Sequence, residues 1–278
     1  MHSDSSLWIH PQELSNRSNP SIILFLPFAS GSLSIRRIIQ RLIVGQYVLR
    51  ETDLDVAVGR GSEDTYRIKP TGHVYIFVNP ITMRKAIIDS GYDVDELAYL
   101  VCLRDPRDML VSLYYLVQDS SHLSDCEGQP FHQQMIIAAQ EAAAVSVDQY
   151  VLERSGYYRS QLEELRTFLA DVPAERVKYL SYAMLCLAFP RYLSCLVMAL
   201  NAHPSRHTLA ELLITEDVQR PKTLTKGSLP HCPKASPLPG RHKRDLKPES
   251  VRRLLYEFRS VLAWMADIDL PEFRELYT

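Results

Sequence analysis

One segment constrains this chain more than any other: Ala98–Tyr115, AYLVCLRDPRDMLVSLYY. Its first six residues are apolar and read as a buried strand. The chain then passes through Arg104 and Asp105-Pro106 into a helix that runs from Pro106 to about Val117. Asp105 suits the N-cap, Pro106 the first helical position and Asp108 the first turn, where a negative charge meets the positive end of the helix. A strand handed straight to a helix is the repeating unit of a parallel sheet. It delivers Arg104 to the mouth of the sheet, with Ser112 eight residues further on. Guanidinium offers a fork of donors matched to phosphate oxygens, and a serine hydroxyl adds another. The alternative is a surface ion pair between Arg104 and Asp105 or Asp108. Arg107 reads as a solvent-facing helix residue.

The rest of the chain repeats this alternation. Residues 1–20 are a polar leader. Ser21–Phe28 reads as a buried strand, and Ala29-Ser30-Gly31-Ser32 as a small-residue turn. Leu33–Val44 follows with helical apolar spacing. Strand, small-residue loop and helix together place backbone N–H groups at a helix N-terminus, where an anion is favoured. A Walker A sequence is absent, which counts against an ordinary ATPase or GTPase. Residues 51–70 are irregular. His73–Asn79 is a second strand, Met83–Ser90 a short helix, and helices are expected over about 131–153 and 157–170. Val177–Ser181 is a further strand, and Met184–Leu200 a buried helix. Residues 216–248 hold six prolines and read as a long loop. A last helix spans Pro248–Ala266, with Val251, Leu254, Leu255, Phe258, Val261, Leu262 and Met265 on one face. Expected, then, is a single α/β domain over 21–278, with a mostly parallel central sheet flanked by helices.

Composition removes several function classes. With 31 basic and 33 acidic side chains in 278 residues, the net charge is −2, too little for nucleic-acid binding through bulk charge. The apolar run Ile22–Ala29 is too short to span a bilayer and follows no basic region, so no signal peptide, no membrane contact and a cytoplasmic location are expected. The five cysteines (Cys102, Cys126, Cys186, Cys195, Cys232) form no CxxC pair and have no His cluster beside them. Reduced thiols are expected, and no metal.

The string Arg104-Asp-Pro-Arg-Asp-x-x-x-Ser112-x-Tyr-Tyr resembles a segment of the sulfotransferases that use 3′-phosphoadenosine-5′-phosphosulfate (PAPS), in which it grips the cofactor's 3′-phosphate. Ser30-Gly31-Ser32 is similar to the Ser-Gly-Thr core of that family's loop for the 5′-phosphosulfate. Gly240-Arg241-His242-Lys243, followed by Leu246, Pro248 and Glu249, looks like its Gly-x-Trp-Lys segment and the helix start after it. Lys226-Gly227 resembles its Arg-Lys-Gly motif. The departures are Ala29 where the family usually has lysine, Thr225 for arginine, and His242 for tryptophan. Arg36 or Arg37 is the candidate to replace the loop lysine's charge.

This resemblance implies a P-loop nucleotide-kinase-like sulfotransferase fold with its cofactor at the C-terminal ends of the strands. It makes Ser30, Gly31, Ser32, Leu33, Arg104, Ser112, Lys226 and Gly227 the cofactor-binding residues, with PAPS as co-substrate and no metal. His73, after Gly72, is the expected catalytic base, since histidine titrates near neutral pH; Lys69 precedes it by four residues, and His122 and Glu63 are fallback bases. The implied partner is a small-molecule acceptor, such as a natural-product intermediate, bearing a hydroxyl or amine, with a homodimer left open. Tyr114, Tyr115, Tyr157 and Tyr158 are candidates to floor its pocket, although tyrosines at helical spacing also serve as packing. A nucleoside or small-molecule kinase, and a cofactor binder with little turnover, stay open as alternatives.

Overall fold

The first strand, β1 (Ile22–Phe25), has all four residues buried. Ile22 and Leu24 face one helical layer while Ile23 and Phe25 face the other. Burial on both faces is what an uninterrupted apolar run requires, and parallel sheets supply it. The computed structural model describes residues 19–27, 29–51, 67–118, 132–217 and 238–278. In it β1 lies at the centre of five parallel strands in the order β2-β3-β1-β4-β5, where β2 is Val48–Glu51, β3 His73–Phe77, β4 Ala98–Leu103 and β5 Val177–Ser181.

In chain order the helices are α1 (Ser32–Leu42), α2 (Pro80–Asp89), α3 (Pro106–Gln118), α4 (His132–Ala143), α5 (Val147–Ala170), α6 (Tyr182–Leu187), α7 (Phe189–Ala199), α8 (Arg206–Thr215), α9 (Arg241–Asp245), α10 (Pro248–Glu257) and α11 (Arg259–Ile268), and a 3-10 segment spans Pro271–Tyr277. One core packs α1, α6 and α7 on the sheet through residues such as Ile35, Ile38, Leu185 and Leu196. The opposite core packs α2, α3, α5, α10 and α11 through Met83, Leu110, Leu165, Leu254 and Val261. This is the α/β architecture expected from the alternation of strands and helices. No helix among the described residues is long and apolar enough to cross a membrane.

Several boundaries differ from the sequence reading, each for a local reason. The break expected near residue 155 falls instead before Val147, because Ser146 caps the new helix by accepting the Gln149 N–H at 3.2 Å. Gly156 stays helical inside α5; its cost of about 1 kcal/mol relative to alanine is outweighed by the buried stripe Leu162, Leu165, Phe168 and Leu169. The expected helix 184–200 is two helices, α6 and α7, which meet at Ala188 just ahead of Pro190. The last helix also divides, at Phe258. Within the expected loop 216–248, Arg241–Asp245 is helical. β2 and α8 lie in stretches where no element was expected.

Leu24 is fully buried in the middle of the sheet. Leu24→Ala is expected to lower stability by about 2–5 kcal/mol, read as a reduced urea midpoint at unchanged slope.

Candidate active site

Parallel pairing brings the ends of β1 and β4 to the same edge of the sheet, with Phe25 opposite Val101. The chain leaves β1 toward β2 and β3 on one side, and leaves β4 toward β5 on the other. Between two such strands the crossovers diverge and a crevice opens, the usual ligand position in a sheet of this kind. Residues 29–31 and Arg104 flank that crevice.

The loop itself is shaped for close approach. Ala29 (φ 58°) and Gly31 (φ 82°) both take left-handed backbone conformations. A Cβ on Gly31 would lie 2.9 Å from the Tyr182 ring. Gly31 begins α1 and no side chain caps that helix, so the N–H groups of Ser32, Leu33 and Ser34 have no acceptor within the helix. The Ser30 hydroxyl turns back and donates to the Pro27 carbonyl. Ser30, 1% exposed, therefore holds the loop's shape with its side chain, and the amides that follow it stand at the head of α1.

Arg104 is 6% exposed and joins the loop to the far side of the crevice. Its Nη1 donates to the Ala29 carbonyl, and its guanidinium lies over the Tyr182 ring, 4.1 Å from the centroid. Its Nε and Nη2 are buried without a hydrogen-bond partner among the described residues. A buried guanidinium with two open donors costs free energy until an acceptor arrives. One turn on, Asp108 is 1% exposed and accepts the N–H of Gly240 at 2.6 Å, the N–H of His242 at 2.8 Å and a contact from His242 Nδ1 at 2.6 Å. Burial alone would raise Asp108, but the hydrogen bond and charge of His242, together with Arg104, hold its carboxyl below the ordinary range. Arg104, Asp105, Asp108, Tyr182, Ala183, Pro239, Gly240, Leu276 and Tyr277 line a gap of about 10 Å³, the room of one water.

The structure thus brings together Ser30, Gly31, Ser32, Leu33 and Arg104. Ser112 lies one helical turn after Asp108, with Tyr115 continuing the stripe, and Arg241 of α9 rests on Tyr115 at 4.3 Å. Lys226, Gly227, His122 and Glu63 lie outside the described residues.

His73 is not at this crevice. It opens β3, paired with Val48 at the N-terminal edge of the sheet. At roughly 3.3 Å per residue, the four steps to Phe77 put it about 13 Å below the strand ends. Its Nδ1 contacts the Thr71 carbonyl at 2.8 Å, its ring stacks on Tyr75, and burial moves it below the ordinary histidine range. Its position removes it as the base for a reaction at the Arg104 edge.

Arg107 also departs from expectation: it is fully buried rather than solvent-facing. Its guanidinium grips Asp105 through Nε (3.0 Å) and Nη2 (2.7 Å), and Nη2 reaches the Leu276 carbonyl at 3.1 Å. The same Asp105 carboxylate caps α3 by accepting the Arg107 N–H at 2.9 Å. Arg37, a candidate to replace the loop lysine, pairs instead with Glu216, the C-cap residue of α8, at 3.1 Å. Tyr114 donates to the Val145 carbonyl at 3.1 Å and Tyr157 is 59% exposed. Asp108, Tyr182 and Tyr277 line the same gap although the sequence pattern did not single them out as binding residues, whereas Gly240, which lines it too, opens the late segment Gly240-Arg241-His242-Lys243. Tyr182 carried a usable signal, because it directly follows a strand of the parallel sheet.

Asp105→Ala would leave Arg107 as a buried, unpaired cation, and a loss of about 3–5 kcal/mol is expected in equilibrium denaturation. For Asp108 the folded carboxyl titrates below its unfolded value. Its contribution is therefore complete above the unfolded value, near 4 in about the usual range, and is lost as pH falls through the lower folded value. A stability profile from neutral to acid should be flatter in Asp108→Asn than in wild type.

No family model matches the chain, and no curated protein matches it by sequence. Among solved structures it is similar to a mouse sulfotransferase, SULT7A1, complexed with PAP, at 13% identity over 86% of this chain and 85% of that one, with a TM-score of 0.56. A sulfotransferase from Alicyclobacillus acidocaldarius matches at 14% identity over 92% and 99%, with a TM-score of 0.47. The likeness is one of fold: this chain shares the α/β fold of that mouse sulfotransferase, with a five-stranded parallel sheet between two helical layers.

Proposed function

We propose that this protein binds PAPS at the β1–β4 edge and transfers its sulfuryl group to a hydroxyl or amine of a small-molecule acceptor in the cytoplasm, releasing 3′-phosphoadenosine-5′-phosphate (PAP). The observation that carries this reading is Arg104, buried with Nε and Nη2 open beside an uncapped helix N-terminus. Two anion-seeking groups at one crevice suit a ligand with phosphate at both ends. In this reading the backbone of Gly31, Ser32 and Leu33 receives the 5′-phosphosulfate, on a loop shaped by Ser30. Arg104, with Ser112 from α3, receives the 3′-phosphate.

Transfer is an in-line displacement. The acceptor's oxygen or nitrogen bonds to sulfur as the bond from sulfur to the bridging oxygen breaks, and the electron pair leaves on the 5′-phosphate of PAP. Positive ends of backbone dipoles at α1 stabilise charge developing on that oxygen. The acceptor's proton passes to a base, a role this reading leaves without a residue since His73 is at the other sheet edge. The cleft's small volume requires its wall to move before a nucleotide enters.

A second reading, cofactor binding with little turnover, draws support from Ala29, which provides no side-chain charge at the loop, and from Arg37, which is engaged by Glu216. The two readings separate when binding and sulfation are measured independently. PAP is expected to raise the melting temperature, whereas ADP with magnesium should not; the reverse pattern would point to a kinase. Arg104→Ala is expected to weaken PAP by about 2–4 kcal/mol through loss of charge-assisted hydrogen bonds, measured by calorimetry. Incubation with labelled PAPS and a cell extract then reports whether a sulfated product forms.

A further inference from the structure

Tyr182 begins α6 directly after β5, because the Ser181 hydroxyl caps that helix by accepting the Met184 N–H at 3.1 Å. Tyr182 is buried, and three contacts define its setting. The edge of its ring packs on the loop: a Cβ on Gly31 would lie 2.9 Å from Cε2 and 3.3 Å from Cδ2. The face of its ring carries the Arg104 guanidinium, whose Cζ is 4.1 Å from the centroid. Its hydroxyl is hydrogen-bonded to the thiol of Cys186, one turn on and fully buried.

The loop and the arginine depend on this ring unequally. The loop has other supports, in the Ser30 hydroxyl on the Pro27 carbonyl and in Leu185, whose Cδ2 also packs on Gly31. Behind it α1 is rooted in the core by Ile35, Ile38 and Ile39. Arg104 has fewer. Its Nη1 donates to the Ala29 carbonyl, and the Tyr182 ring is the other contact of the guanidinium, whose Nε and Nη2 are buried without a hydrogen-bond partner among the described residues. A single hydrogen bond leaves a guanidinium able to turn about it, and an electron-rich ring face against the cation removes that freedom.

We propose that Tyr182 is a positioning residue: its ring face holds the Arg104 guanidinium in place for a phosphate, and so sets a preference for nucleotides that carry a 3′-phosphate. This rests on the reading that Arg104 receives the 3′-phosphate of PAP. The ring acts through the arginine, and the hydroxyl, engaged by Cys186, has no part in it. An anion arriving at Arg104 then meets a cation that folding has already oriented, so less ordering remains to oppose binding.

Calorimetry with two ligands isolates the effect: PAP, which has the 3′-phosphate, and adenosine 5′-phosphate, which lacks it. Tyr182→Leu is expected to weaken PAP about tenfold, the scale of one desolvated cation–π contact, and to leave adenosine 5′-phosphate unchanged. Tyr182→Phe keeps the ring and should restore most of the PAP affinity. In the Arg104→Ala background the leucine substitution should weaken PAP no further, since the group it acts through is gone. A graded series of fluorinated phenylalanines at position 182 withdraws charge from the ring face while nearly keeping its shape, and PAP affinity should fall stepwise along it. That series decides the matter even if Tyr182→Leu does not fold. Equal weakening of the two nucleotides, additive losses in the double variant, or a flat response across the fluorinated series overturns the proposal. If PAP produces no heat and no thermal shift with the wild type, the functional reading fails as well, an outcome distinct from PAP binding that is indifferent to the ring.

Discussion

Everything at the candidate site depends on the parallel register between β1 and β4. Phe25 lies opposite Val101, so both chains leave the sheet at the same level and in the same direction. Arg104 then needs only its own side-chain length to reach the Ala29 carbonyl. A shift of one residue would turn each strand's alternate faces over, moving Ile23 and Phe25 out of one core and into the other. The two cores on opposite faces fix this register, and through it the distance between the loop and the arginine. Core packing and site geometry are therefore one constraint.

What the sequence disclosed followed the range of the interactions involved. The β4–α3 boundary was legible because Asp105, Pro106 and Asp108 act on neighbouring backbone. Arg107 was misjudged because its surroundings arrive from Leu276, 169 residues away. Asp108 likewise read as a first-turn charge, while its main partners, Gly240 and His242, lie 132 and 134 residues further along. β2, four residues at the sheet edge, carries too little alternation to be distinguished from loop. His73 is a different lesson. The expectation that ligands gather where parallel strands end was already available, and a residue that opens a strand fails it.

The concentration of charge under the site is unusual for a protein interior. Arg104, Asp105, Arg107, Asp108 and Arg241 are all buried, with His242 among them. Buried charges are tolerated when paired and hydrogen-bonded; Asp105 and Arg107 are paired, while Arg107 Nη1 and the Nε and Nη2 of Arg104 are buried without a partner among the described residues. Side chains that stay unsatisfied in the fold sacrifice stability at that place, a familiar trade where a site is prepared for a ligand.

The narrowness of the gap between Pro239–Gly240 and Leu276–Tyr277 has a kinetic meaning. In the proposed function, a gap with room for about one water must widen before a nucleotide is held there. Apparent affinity is then the intrinsic affinity scaled by the open fraction; an opening populated about one part in a hundred weakens binding about a hundredfold. In that proposal the contacts that tether the wall, Asp108 to Gly240 and Arg107 to Leu276, oppose the widening. A substitution that loosens the tether without touching the ligand would speed association and raise apparent affinity together.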